Sequence, residues 1–132
     1  MVPQLNLGPP DSCRGATTTE LVISFPVVLL IVLLALQFGL LLHAAQIAEA
    51  AAHEAVEAAQ AEQAGVAAGH AAARSLLSEL GALRSPRVDV ERSASTVTSR
   101  VTGHAQQLVP GVGLAVSGSA EGPVERFIPE RR

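Results

Sequence analysis

The stretch that decides the fold is Leu21–Leu42, an uncharged run of 22 residues that reads LVISFPVVLLIVLLALQFGLLL. At a helical rise of about 1.5 Å per residue the run is about 33 Å long, enough to cross a bilayer core of about 30 Å. A buried core helix is one alternative, but the rest of the chain is too small to wrap it. A secretory signal peptide is another; its apolar region is shorter, about 7–15 residues, although Ala44 and Ala45 would suit its peptidase. The run therefore predicts a membrane-spanning helix.

The composition of the whole chain limits the remaining possibilities. Its 132 residues allow one small domain beside the span, and aromatic residues make up only 2%. The net charge of −3 argues against a nucleic-acid partner, which would require a basic face. The single Cys13 excludes an intrachain disulfide and a multi-cysteine metal site. No apolar stretch precedes Cys13, so a lipoprotein anchor at that residue is excluded too.

The residues before the span give its orientation and contain one unusual carboxylate. Residues 1–15 include Pro3, Gly8, Pro9 and Pro10, and this composition predicts a leader segment rather than a helix. Arg14 is the only basic side chain near the span, which favours a cytoplasmic N-terminus and an extracytoplasmic C-terminus.

Glu20 lies at the N-terminal edge of the apolar run. It is either a functional group, as carboxylates at membrane helices often are, or a residue that favours a helix N-terminus capped by Thr18 or Thr19. The residues themselves leave both interpretations open.

The stretch RGATTTELVISFPVVLLIVLLALQFGLLL, residues 14–42, resembles the TadE family of tight-adherence pilus proteins. The resemblance rests on Arg-Gly, a run of small residues, Glu-Leu, an apolar helix with Pro at the eleventh position after Gly15, and Gln37-Phe38-Gly39. It covers about 30 residues. The first part of the motif is similar to the cleavage site of type IV pilin-like precursors.

The resemblance implies a role for four residues. A prepilin peptidase would cut between Gly15 and Ala16, and Gly15 has no Cβ to obstruct the peptidase cleft. Glu20 would then pair with the new α-amine of Ala16, in its own or a neighbouring subunit, which would relieve an otherwise costly carboxylate. Pro26 lacks a backbone donor and is expected to kink the helix. The implied partners are the membrane, the peptidase, other pilin-like subunits and pilus assembly proteins.

Beyond the membrane segment 16–43, residues 44–80 are rich in alanine and glutamate, both good helix formers. The composition predicts one continuous helix from about Thr19 to Leu80, about 90 Å long. Its alanine face is either a packing surface for neighbouring subunits or the surface of a solvated helix stabilised by propensity alone.

Residues 81–128 predict a small three-stranded antiparallel sheet, with strands at about 87–93, 95–107 and 113–121, so that the fold class is α+β and pilin-like. Gly81 and Pro86 are expected to end the helix. The sheet should pack on four leucines, Leu76, Leu77, Leu80 and Leu83. Phe127 and Ile128 are expected to cover one sheet edge, and residues 129–132 form a tail expected to be disordered.

No catalytic or metal-binding constellation is evident in the sequence. His43, His53, His70 and His104 lack ligand-like spacing, and no serine has a plausible base partner. We therefore expect no enzyme activity, no metal, no cofactor and no small-molecule substrate.

The sequence and its resemblance leave two hypotheses for the function. In the first, a TadE-like pseudopilin of the bacterial cell membrane is cleaved after Gly15 and serves in a tight-adherence pilus or related secretion filament. In the second, the chain is an uncleaved single-pass accessory subunit that stabilises a larger membrane complex.

Overall fold

The computed structural model describes residues 13–61 and 64–124, with side-chain surroundings from residue 20 onward. Helix α1 is Cys13–Gln60 and helix α2 is Val66–Leu80. Strands β1 (Leu83–Arg92), β2 (Thr96–Ala105) and β3 (Ala115–Pro123) follow, and they pair antiparallel in the order β1-β2-β3. The predicted α+β class, a long N-terminal helix followed by a three-stranded antiparallel sheet, is confirmed.

The prediction of one helix from Thr19 to Leu80 is wrong, because the chain turns back after Gln60. A turn joins the amide of Ala64 to the carbonyl oxygen of Ala61 at 3.0 Å, and Gly65 is extended at φ −131° and ψ −175°. Both sides of this turn favour helix by composition, and Gly65 is the only weak local signal of a break within residues 61 and 64–65. The break allows α2 to pack against α1 and to bury apolar surface that a single rod would leave in water.

The two helices approach closely because small residues line their contact. A Cβ on Gly69 would lie 2.6 Å from the carbonyl oxygen of Ala55 and 3.1 Å from the Cβ of Ala59. Only glycine fits there without displacing the α1 backbone, so Gly69 determines how near α2 lies to α1.

The core consists of the alanine face of α1 and the inner face of the sheet. Five alanines of α1 are completely buried: Ala48, Ala51, Ala52, Ala55 and Ala59. They pack with Val97 and Val101 of β2, which are also fully buried. A Cβ on Gly118 of β3 would fall on the backbone of α1 at Ala48 and Glu49. Small residues on both sides thus replace the aromatic side chains on which many cores rely.

The alanine face of α1 therefore has a different role from either of the two predicted. It is neither a free packing surface for neighbouring subunits nor a solvated helix face, because the chain's own sheet and α2 cover it. The predicted alternatives both assumed a helix without intrachain partners, and the turn after Gln60 removes that assumption.

The strands lie close to their predicted positions, but β1 begins earlier than expected. Gly81 ends α2 in the left-handed conformation, at φ 59°, and its amide donates to the carbonyl oxygen of Leu77 at 3.0 Å. Pro86 does not terminate the helix; it lies inside β1, where the register shifts between Arg84 and Arg87. A bulge is one of the few strand positions that tolerates proline.

The four leucines expected beneath the sheet are only partly used there. Leu77 is buried, and Leu76 and Leu83 are partly buried against the core. The prediction for Leu80 is wrong, because 49% of its surface is exposed. Residues 1–12 of the predicted leader 1–15, the predicted edge cover Phe127 and Ile128, and the predicted tail 129–132 lie outside the described residues.

Candidate functional site: an exposed apolar span and a glutamine beneath a loop

The N-terminal apolar part of α1, Leu21–Leu36, has a large surface that the rest of the described chain does not cover. Large side chains here have exposed fractions between 40% and 66%. They are Leu21, Val22, Ile23, Phe25, Val27, Val28, Leu29, Leu30, Ile31, Val32, Leu34 and Leu36. The helix is long and apolar enough to cross a membrane, and only 6% of its most apolar window is buried. The buried-core-helix alternative is therefore wrong, and a surface of this kind requires lipid or other apolar helices around it.

The predicted processing residues Gly15 and Ala16 lie at the start of α1, which begins at Cys13. Cleavage between them stays a prediction. Because α1 starts upstream, Thr18 and Thr19 lie inside the helix rather than at its cap position in this chain. Glu20 is also beyond the first turn, where the favourable effect of the helix dipole on a carboxylate fades.

Glu20 is exposed on α1, one residue before the apolar span. It forms no ion pair within residues 20–61 and 64–124. The helix start at Cys13 places Thr18 and Thr19 inside α1, and both interpretations of Glu20, pairing with an α-amine and a favourable position near the helix N-terminus of the cleaved chain, stay predictions.

Pro26 lies inside α1, and the helix continues on both sides of it. Its missing N–H leaves the carbonyl oxygen of Val22 without the usual helical donor. The predicted kink stays a prediction.

Gln37 is the only long polar side chain of the apolar span, and it is 2% exposed. Its Nε2 donates to the carbonyl oxygen of Gln106 at 3.0 Å. Its Oε1 accepts from the amide of Leu108 at 2.8 Å and from that of Val109 at 3.4 Å. One side chain thus holds three backbone groups of the loop between β2 and β3, called here the β2–β3 loop, residues 106–114.

A small apolar cluster adjoins this contact on the side toward the domain. Ala44, Ala105 and Val116 are buried together, with Leu41 and Leu83 packed against them. Gln37 and this cluster hold the β2–β3 loop beside α1, at a level of the helix that lies N-terminal to the end of the apolar run at Leu42. Sequence reasoning assigned Gln37 only to the family-like Gln-Phe-Gly step. A lone amide in an apolar run was the available signal, since polar groups there require partners.

Arg92 makes the corresponding contact at the far end of α1. Its guanidinium donates to the carbonyl oxygens of Ala59 at 2.7 Å and of Ala61 at 3.2 Å, and also to that of Ala64. These carbonyls lie at the C-terminal end of α1 and in the turn, where a helix leaves acceptors unpaired and favours a cation. Arg92 therefore stabilises the turn that folds α2 back. Nothing in the local sequence indicated this role.

The exposed face of the sheet is polar and has opposite charges at its two ends. Glu91 and Glu121 flank Thr98 in the strand register at the end near the helix turn. Arg84 pairs with His104 at the end near the β2–β3 loop, and Arg87 lies one step further along. Within residues 13–61 and 64–124, no group of three or more His, Cys, Asp or Glu side chains is placed to hold a metal ion.

An exposed membrane-length helix joined to a small α+β domain defines a membrane-anchored protein with one apolar helix near its N-terminus. The family model described as TadE-like protein matches residues 15–57. This match confirms the resemblance found in the sequence and suggests a role related to the Tad pilus. It begins at Gly15 and extends through the span into the alanine-rich half of α1. No curated protein and no solved structure matches the chain.

Proposed function

We propose that this chain is a TadE-like pseudopilin, a structural or assembly component of a tight-adherence, type IVb-like pilus or related secretion filament. A prepilin peptidase processes it after Gly15. The observation that carries the proposal is the match to the TadE-like family from residue 15, combined with an uncovered apolar helix that bears a folded domain. The protein acts by packing and turns over no substrate.

The packing surface in this proposal is the exposed apolar span, because the alanine face is already used within the chain. In the membrane, lipid surrounds the span; in the assembly, apolar helices of other subunits replace the lipid. Such exchange needs close fit and paired polar groups rather than a hydrophobic driving force. Glu20 supplies the polar pair, because its carboxylate forms an ion pair with the α-ammonium group of a neighbouring subunit's Ala16.

The orientation in the proposal is N-terminus cytoplasmic and C-terminus extracytoplasmic. Arg14 favours it through the positive-inside tendency. The peptidase site would then face the cytoplasm, and the domain would lie outside the membrane, where a filament grows.

The contacts of Gln37 argue for a retained anchor rather than a signal peptide. A cut near Ala44 would separate Gln37 from the β2–β3 loop and divide α1 next to its buried cluster. A cut after Gly15 leaves these contacts intact, since all of them lie C-terminal to Ala16. The alternative function, an uncleaved accessory subunit of a larger membrane complex, keeps the same span but would have no need of cleavage.

The test is the N-terminal sequence and intact mass of the protein from cells that contain a prepilin peptidase. The expected product begins at Ala16 and lacks residues 1–15. Gly15→Leu should block processing, whereas Gly39→Leu should not, since a Cβ at Gly39 meets no atom within 4 Å. Full-length precursor in the assembled fraction would contradict the pseudopilin proposal and favour the accessory subunit.

A further inference from the structure

The β2–β3 loop lies beside the apolar span rather than above it. The three hydrogen bonds of Gln37 hold the loop backbone at Gln106, Leu108 and Val109. Gln37 precedes the end of the run at Leu42 by five residues, or about 7.5 Å along the helix. With the span centred in a bilayer core of about 30 Å, Gln37 lies about 6 Å inside the hydrocarbon boundary. The loop it holds reaches the same depth.

The composition of the loop suits that position. Residues 105–120, AQQLVPGVGLAVSGSA, contain no charged residue and no histidine. Leu108 is 48% exposed although it is a large apolar side chain, and Val109, Val112 and Leu114 of the same loop are half-buried. The loop exposes Leu108 beside the uncharged Gln106 and Gln107.

Some backbone groups of the loop already have partners, which lowers their cost in a medium of low polarity, where unpaired peptide groups are costly. Gln37 satisfies three of its groups. The amide of Ala105 donates to the carbonyl oxygen of Leu114 at 3.0 Å, and the amide of Val112 donates to that of Val109 at 3.3 Å. Irregular backbone at membrane depth is tolerated where the protein supplies such partners.

The charges of the sheet agree with this placement. The arginines Arg84 and Arg87 are exposed at the end of the sheet next to the loop. The acidic residues Glu91 and Glu121 lie at the opposite end, near the helix turn. These exposed basic residues form a basic rim beside the uncharged β2–β3 loop. Such a rim would contact the anionic headgroups when the loop reaches the hydrocarbon core.

From the loop's depth, its lack of charge and this rim, we infer that the β2–β3 loop is a second membrane-contacting element. It inserts Leu108 into the interface of the leaflet that faces the domain, and Gln37 holds it there. The occupant of this surface is lipid. The loop would fix the rotation and tilt of the domain on the membrane. The inference requires the membrane span but neither cleavage nor filament assembly.

The test uses the full chain in vesicles of phosphatidylcholine and phosphatidylglycerol, without peptidase and without other pilus proteins. In a Cys13→Ser background, Leu108→Cys and Ser119→Cys are labelled with an environment-sensitive fluorophore, Ser119 being exposed on the outer face of the sheet. Lipids that carry a nitroxide near the top of the acyl chain should quench the label at position 108 several-fold more than the label at 119. Equal quenching at the two positions would overturn the inference.

A second pair of variants tests the role of Gln37. Gln37→Leu should reduce quenching at position 108 toward the level at 119, while Gln46→Leu, an exposed glutamine on the same helix, should leave it unchanged. A label at 108 that is shielded only in assembled filaments, and not in vesicles, would mean that a second copy covers the loop and would overturn the lipid contact. Failure of cleavage or assembly in cells would affect only the proposed function.

Discussion

The two halves of α1 are both apolar, yet they bury their surfaces in opposite ways. The inner half, Leu21–Leu36, presents leucine, valine, isoleucine and phenylalanine, which remain exposed. The outer half, Ala44–Ala59, has a face of mainly alanine that is buried by the chain's own sheet and α2.

Side-chain size is the difference between the halves. The sheet and α2 lie against the outer half, so the large side chains of the inner half stay uncovered and need lipid or other subunits. Small side chains let a strand lie directly on the helix, so the outer half is satisfied within the chain. The same helix thus leaves a large apolar surface uncovered at one end and forms an intramolecular core at the other.

The largest expected loss of stability in the outer half comes from adding side-chain volume at Gly118. Gly118→Val would place side-chain atoms on the α1 backbone at Ala48 and Glu49, so we expect a loss of about 3 kcal/mol or more in unfolding free energy. Gly39→Val, in the inner half, adds the same atoms where a Cβ meets nothing within 4 Å. Denaturant unfolding of both variants in detergent micelles measures the difference. Equal stability would show that β3 does not lie on the helix as described.

A second test compares two alanines of the outer half. Ala52 is completely buried, whereas Ala50, two residues earlier, is exposed. Ala52→Leu should overpack the core and lower the unfolding free energy by about 1–3 kcal/mol, and Ala50→Leu should have little effect. If both substitutions were neutral in the same unfolding assay, the alanine face would be free, as a single long helix would require.

Arg92 allows a smaller and more local test of the helix turn. Arg92→Ala removes the guanidinium from the carbonyl oxygens of Ala59 and Ala61, and we expect a loss of about 1–2 kcal/mol. Hydrogen exchange should accelerate most at the C-terminal end of α1. Arg100→Ala, on the exposed face of β2, is the matched control. A uniform acceleration across the sheet, with none at the helix end, would contradict the capping role.

Glu20 should have the smallest effect on stability but a clear effect on assembly. Glu20→Gln removes the charge from an exposed carboxylate that has no ion pair within residues 20–61 and 64–124, so unfolding should be unchanged. Cleavage and membrane insertion should also persist, while surface filaments should decrease. Glu49→Gln, exposed in the outer half, should assemble normally. Normal filaments with Glu20→Gln would exclude the proposed pairing with a neighbouring α-amine.

Much of the fold could be predicted because it depends on local pattern. The uncharged run from Leu21 predicts a span by length alone, and the alternation around Val88, Val97 and Val116 predicts strands within a few residues of those observed. Gly81 was also correctly expected to end a helix. The family-like motif from Gly15 is likewise a local feature, and the family match agrees with it.

The contacts of Gln37 and Arg92 could not be predicted in the same way. Gln37 meets backbone groups 69 to 72 residues away, and Arg92 meets those 28 to 33 residues away. Such separations leave no periodicity in the sequence. They become visible only when the helix turn and the sheet bring these parts of the chain together.

The sequence by itself determined that this protein has a membrane-length apolar helix, a helix-forming alanine-rich continuation and three short strands. Each of these follows from residue type and spacing within a single segment. Only the tertiary structure decided that the continuation turns back after Gln60, that its alanine face becomes a core, and that a loop lies beside the span. The reason is that alanine and glutamate favour a helix equally on both sides of the turn. The choice between one rod and a folded hairpin therefore rests on apolar surface buried between distant segments, which no local pattern records.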